Sequence, residues 1–269
     1  MNSFQKIISF VLLACYWAGV AVAQSVEEVS IDNGKRHIYG LLSHPDDGRK
    51  QHPLAIIAHG FNGTHQFGCN YFKPLNEKGY LCYTFDFPCG SLFSKSDANT
   101  MEMSVLDEQR DLEAIVRYFK SQADVDTTAI VLIGESQGGL VSALAASNMA
   151  KDISQLILVY PALCIPDNWN ERYPRVEDIP DTTRLWGVPM GRRYFEEVHS
   201  LRPFDIIGRY EGRVLIIQGD ADRIVSMDDS RRAVALYRDA RLHIIKGAGH
   251  GFKGEELAES LREIKSFLK

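Results

Sequence analysis

The chain has 269 residues, of which 45% are hydrophobic and 24% charged, with a formal net charge of −5 at pH 7. That balance excludes a disordered or fibrous chain, and the length favours one continuous core over several small ones. The acidic net charge, spread without long runs of one sign, argues against nucleic acid as a partner.

The first residues depart from this pattern. Lys6 is followed by an uncharged stretch from Ile7 to Ala23 that ends in Ala21-Val22-Ala23 before Gln24. The stretch is short for a bilayer span and ends as a signal peptidase requires, so residues 1–23 are expected to be a signal peptide. Residues 24–269 would then be the exported domain, periplasmic or secreted. Leu12-Leu13-Ala14-Cys15 also resembles a bacterial lipobox, which leaves open a lipoprotein held on a membrane through Cys15.

Beyond the leader, residues 26–31 and 36–42 flank Asn33-Gly34, a short-range hairpin signal, so the sheet is expected to begin antiparallel. Short apolar runs follow at 54–58, 80–85, 129–133, 156–159, 214–218 and 242–245. Their length and near-continuous apolarity suit strands buried on both faces. Amphipathic stretches lie between them, clearest over 104–122, where Leu106, Leu112, Ile115, Val116 and Phe119 recur at helical spacing behind a Ser104-x-x-Asp107 capping box. Strands alternating with helices predict the α/β class: a mostly parallel sheet with helices on both faces. Residues 161–203 interrupt the alternation with Trp169, Tyr173, Trp186, Tyr194 and Phe195 among prolines and charges and no strand periodicity, as expected of a small inserted cap. Cys69, Cys82, Cys89 and Cys164 allow three pairings that spacing does not choose between. No metal-ligand spacing joins the cysteines or the eight histidines, so neither a metal nor a cofactor is expected.

The chemistry concentrates in three loops, each placed just after a predicted strand. In the first, residues 130–133 run into Gly134-Glu135-Ser136-Gln137-Gly138-Gly139 and then into an apolar helix. A serine at the apex of so tight a turn needs glycines two positions to either side, because strand and helix approach too closely for side chains. The helix N-terminus behind it favours developing negative charge. Gly219-Asp220-Ala221-Asp222 and Gly247-Ala248-Gly249-His250-Gly251 are the other two, and all three should share the sheet edge where open α/β sheets bind ligands. Ser136, His250 and Asp222 then form a nucleophile, a base and an orienting acid, with Asp220 as the competing acid. An oxyanion needs preorganised donors, for which the backbone N–H groups of Gln137 and of Phe61 in His59-Gly60-Phe61 are the candidates.

With these motifs in hand, the chain resembles the bacterial cinnamoyl and feruloyl esterases of the α/β-hydrolase superfamily. The residues that carry the likeness are His59-Gly60-Phe61, Asp86-Phe87 with Gly90-Ser91, Gly134-x-Ser136-Gln137-Gly138-Gly139, Gly219-x-x-Asp222 and Gly249-His250. The turn after Asp86-Phe87 is poorer in glycine than is usual in that group. The resemblance implies an α/β-hydrolase fold with a small cap, and a serine esterase that needs no cofactor and acts on a small-molecule ester. It also implies polar cap contacts to the phenolic end of a hydroxycinnamoyl group, which fall on Tyr194 and, more loosely, Asp167. Two other functions stay open: an aminopeptidase or amidase that binds a substrate amine through Glu171, Glu177 or Asp178, and a non-catalytic binding protein on the same fold.

Overall fold

The computed structural model describes residues 25–268, so the expected leader and Cys15 lie outside the described residues. The chain opens with a hairpin of β1 (Ser25–Asn33) and β2 (Arg36–His44), and continues through β3 (His52–Ala58), α1 (His65–Gly68), α2 (Phe72–Asn76) and β4 (Leu81–Phe85). The hairpin forms where the sequence indicates, but its two loop residues are Gly34 and Lys35, one position later than expected, with Gly34 in the left-handed region at φ +64°. Next come α3 (Val105–Lys120), β5 (Val125–Glu135), α4 (Gln137–Asn148) and β6 (Gln155–Val159). Ser104 caps α3 by accepting the Asp107 N–H at 3.0 Å. The Asp107 carboxylate pairs with Arg110 and Arg193.

After β6 the chain leaves the sheet for α5 (Ile165–Arg172), the short strands β7 (Thr182–Leu185) and β8 (Val188–Gly191), and α6 (Arg192–Ser200), then returns through β9 (Arg213–Gly219), α7 (Met227–Leu236), β10 (Asp239–Ile245) and α8 (Gly254–Phe267). The β7–β8 hairpin places two short strands within residues 161–203, where the sequence shows no strand periodicity. Its turn is Trp186-Gly187, both at positive φ (+49° and +86°), the backbone a two-residue hairpin loop demands. A tryptophan at the first of those positions carries none of the usual Asn or Asp signal, and each strand has only four residues.

Eight strands form one sheet in the order β1-β2-β4-β3-β5-β6-β9-β10, and β4, β3, β5, β6, β9 and β10 pair parallel to one another. Side chains alternate between two cores, as a twofold strand period requires. Leu54, Ile56, Ile130, Leu132, Leu156, Leu158, Val214 and Ile216 pack towards α3 and α4. Ala55, Ile57, Val131, Ile133, Ile157, Val159, Leu215 and Ile217 pack on the other face, with Leu75, Ile264 and Phe267 from α2 and α8. Strands buried on both faces account for the unbroken apolar runs. The exception is β10, an edge strand with exposed positions, Ile244 among them. Cys69, Cys82, Cys89 and Cys164 are all free thiols.

Candidate active site

Parallel strands end together, so the loops after β3, β5, β6, β9 and β10 meet along one edge. The turn after β5 is the tightest of them. Ser136 has φ +51° and ψ −118°, a strained conformation held by its N–H on the Val159 carbonyl at 3.0 Å. Its carbonyl accepts from the N–H groups of Gly139 at 2.9 Å and Ala162 at 2.9 Å. A methyl group on Gly138 would run into the carbonyl oxygens of Ala58 and His59, and one on Gly134 into the Gly138 carbonyl. Those two positions accept no side chain because backbone faces them.

The structure brings together the three residues picked from the loops. His250 Nε2 lies 2.9 Å from Ser136 Oγ, and His250 Nδ1 lies 2.8 Å from Asp222 Oδ2. Asp222 is enclosed, its side chain 1% exposed against 15% for His250. Its Oδ1 accepts the N–H groups of Ile224 at 2.8 Å and Val225 at 3.0 Å, and Oδ2 also accepts Gln218 Nε2 at 2.9 Å. Asp220 does different work: it accepts the Gly247 N–H at 2.5 Å and so ties the loop after β9 to the one after β10.

The loop after β3 presses against the nucleophile. A methyl group on Gly60 would lie 3.1 Å from the Ser136 Cβ, so glycine there lets the backbone pass at contact distance. Buried His59 holds this loop in place: Nδ1 donates to the Gly60 carbonyl at 2.7 Å and Nε2 accepts the Phe87 N–H at 3.1 Å. Burial lowers its pKa, so the ring is neutral and suits that one-donor, one-acceptor role. Among the described residues, no turn or loop hydrogen bond occupies the N–H of Phe61 or of Gln137. Both residues line the same cavity as Ser136. Gln137 is held by its side chain, which accepts the Tyr194 hydroxyl at 2.9 Å and donates to both Glu108 oxygens at 3.0 and 2.9 Å. Burial pushes the Glu108 carboxyl up to about 8, with the Gln137 contact opposing the rise.

The cavity over Ser136 has a volume of about 260 Å³. Phe61, Ile165, Trp169, Leu185 and Trp186 give it apolar and aromatic walls, and the 68% exposed Trp186 packs edge-on against Phe61 at 5.8 Å. Arg172 brings a positive charge to its wall, the guanidinium lying over the rings of Trp169 and Tyr173 at 5.5 and 5.4 Å. A second, more polar hollow of about 340 Å³ adjoins it across Cys164, Asn168, Ile224 and Val225, behind Asp222. The two residues expected to touch a phenolic group stand differently. Tyr194 is on the cavity wall but buried, with its hydroxyl committed to Gln137. Asp167 is exposed on α5 and is not among the cavity-lining residues. Sequence reasoning passed over Glu108, Glu135, Tyr160, Gln218 and Arg172. Only Glu135, inside the Gly-x-Ser turn, stood in a motif.

Several known proteins are similar to this chain. Residues 66–269 match the prolyl oligopeptidase family. The solved structure of Est1E from Butyrivibrio proteoclasticus with ferulic acid bound has a TM-score of 0.82 at 27% identity, over 89% of this chain and 97% of that one. An acetyl xylan esterase from Paenibacillus sp. R4 shares the fold, with a TM-score of 0.69 at 17% identity over 97% of this chain and 89% of that one. The quorum-quenching protein AidA of Acinetobacter baumannii is 29% identical over 108 residues, 38% of this chain and 34% of its own length. An uncharacterized 31.7 kDa protein of Escherichia coli is 29% identical over 129 residues, 46% of this chain and 44% of its own. The chain thus spans less than half the length of the curated relatives it matches. A family match over most of the chain, on this sheet order, shows that the protein has the α/β-hydrolase fold and belongs to the prolyl oligopeptidase family.

Proposed function

We propose that the protein is a serine carboxylic ester hydrolase working through an acyl-enzyme on Ser136, with hydroxycinnamoyl or other small acyl esters as substrates. The observation that carries this reading is one imidazole within hydrogen-bond reach of both Ser136 Oγ and Asp222 Oδ2. In the first half-reaction His250 Nε2 takes the Ser136 proton as Oγ attacks the ester carbonyl, while Asp222 keeps Nδ1 protonated and stabilises the imidazolium. The oxyanion that forms is met by the Phe61 N–H in the loop after β3 and the Gln137 N–H at the start of α4. The imidazolium then protonates the departing alcohol, and water repeats the sequence to release the acid.

Two observations support an aromatic acyl group: flat aromatic walls around the cavity, and ferulic acid in the Est1E structure of the same fold. The peptidase alternative is less well supported. It requires an acid near the cavity for a substrate amine, yet Glu171, Glu177 and Asp178 are exposed, Asp178 is paired with Arg175, and the charge on the cavity wall is the cation of Arg172. Assaying Ser136→Ala beside the parent protein on nitrophenyl acetate, methyl ferulate and aminoacyl nitroanilides tests the reading. Ester turnover should fall at least about 10³-fold and the anilides should stay intact. Parent-like ester hydrolysis by Ser136→Ala would reject the mechanism, and cleavage of anilides alone would reject the substrate class.

A further inference from the structure

Behind the site lies a carboxyl group that the acyl-transfer steps leave unused. Glu135 ends β5 immediately before Ser136 and is 2% exposed. Its oxygens are taken by two tyrosines: the Tyr71 hydroxyl donates to Oε1, and the Tyr160 hydroxyl donates to Oε2 at 3.0 Å. Among the described residues it has no ion-pair partner within 4.0 Å. Residues 71, 135 and 160 lie outside the walls of the substrate cavity, so binding substrate is not their task.

Tyr160 connects this buried group to the chemistry. It follows β6 directly, and β6 pairs with β5 so that Val159 lies opposite Glu135. Its φ is +37°, a left-handed value that is costly for a bulky side chain and persists only where the surroundings impose it. Two hydrogen bonds do so: the Tyr160 N–H on the Ile217 carbonyl at 2.7 Å, and its hydroxyl on Glu135. The ring so fixed lies 4.7 Å from the His250 imidazole, centroid to centroid, at 56° between planes, with Phe252 packed edge-on behind it at 4.8 Å.

We propose that Glu135 is a positioning residue that acts through Tyr160: its carboxyl anchors the tyrosine hydroxyl, and the anchored ring braces the His250 imidazole so that it spans Ser136 and Asp222. The proposal rests on the serine mechanism given above. An imidazole joined to its partners by only two hydrogen bonds can still swing about the line between them, and a ring packed against it at 4.7 Å restricts that freedom.

The charge of Glu135 matters as well as its shape. Burial pushes the carboxyl up to about 8, with both tyrosine contacts opposing the rise, so below that pH it holds a proton, which the oxygen of one of the two tyrosines accepts in place of donating. Tyr71 and Tyr160 are the titratable groups that face it, and His250 and Asp222 stand beyond Tyr160. Loss of the proton above about pH 8 would set an anion directly behind Ser136, where it opposes the developing oxyanion.

Tyr160→Phe keeps the ring and removes the anchor, and Glu135→Gln keeps an acceptor and removes the charge. Both would be compared with the parent on one ester across pH 6–10, with thermal melts to establish that each folds. Tyr160→Phe should lose about tenfold in kcat with KM unchanged, because the interaction serves the reacting geometry and not binding. Parent kcat should decline above about pH 8, and Glu135→Gln should lack that decline. Parent kcat in a folded Tyr160→Phe, or an unchanged alkaline limb in Glu135→Gln, would overturn the proposal. Fluorophosphonate labelling of the parent at Ser136 keeps the two questions apart, since its absence would count against the serine mechanism itself.

Discussion

Replacing Asp222 by asparagine should abolish the proposed ester hydrolysis while leaving the fold intact, and the hydrogen bonds around the carboxylate say why. Oδ1 accepts two backbone N–H groups, from Ile224 and Val225. An asparagine must therefore turn its carbonyl oxygen to that side, because an NH₂ there would face two donors. Its NH₂ then occupies the Oδ2 position, opposite His250 Nδ1 and Gln218 Nε2. There it donates to Nδ1, which forces the proton onto Nε2, the atom that receives the serine proton in the proposed mechanism. The same amidation in a Ser-His-Asp triad costs on the order of 10⁴ in kcat, or about 5 kcal/mol of barrier. Three of the four hydrogen bonds at this site survive, so stability should fall by only about 1–2 kcal/mol, the cost of setting two donors, Gln218 and the new NH₂, face to face. Stopped-time hydrolysis of nitrophenyl acetate, read beside a urea melt, measures both quantities. A stably folded Asp222→Asn that keeps kcat within tenfold of the parent would refute the assignment of acid and tautomer, and Asp220→Asn would then be the variant to examine.

Two further predictions follow from packing and burial. Gly138→Ala should cost more than about 3 kcal/mol, because the new methyl meets backbone oxygens of residues 58 and 59 that cannot rotate away, whereas Gly249→Ala, with open space around it, should stay within about 0.5 kcal/mol; urea midpoints decide both. The Glu108 carboxyl, raised from 4.5 to about 8, binds its proton more tightly in the folded chain than in the unfolded one. Its contribution to stability is therefore complete below about pH 4.5 and is lost as pH rises towards 8, by up to about 1.4 kcal/mol per pH unit. Glu108→Gln should flatten the pH dependence of the unfolding free energy across that window, and a slope equal to the parent's would refute this.

How much of the site could be read beforehand depended on whether a residue's setting was local. The turn around Ser136 is a short-range object: strand, glycines and helix are contiguous, and close backbone approach demands glycine wherever such a turn occurs. Asp222 and His250 were legible for a related reason, each lying in a glycine-bearing loop just after an apolar run. The carboxylates at 108 and 135 were not. A glutamate in an amphipathic helix or beside a glycine reads as solvated, and only the packing of Tyr71, Tyr160, Gln137 and Tyr194 around the two turns them into buried, uncharged groups.

The cap region shows the same division. Its aromatic richness was visible, but the contact partners were not: Tyr194 spends its hydroxyl on Gln137, and Asp167 stands off the cavity wall that Arg172 reaches. Side chains on a segment without regular periodicity take their directions from what they pack against, and those neighbours come from distant parts of the chain.

By itself the sequence determined the strand succession of the main sheet, the tight turn at Ser136 and the two partner loops, because burial on both faces of a parallel sheet and backbone crowding at a turn leave direct marks on neighbouring residues. Only the tertiary structure decided which acid faces His250, which tyrosine ring lies against it, and which carboxyls are stripped of water, because each depends on groups brought together from different strands at one edge of the sheet.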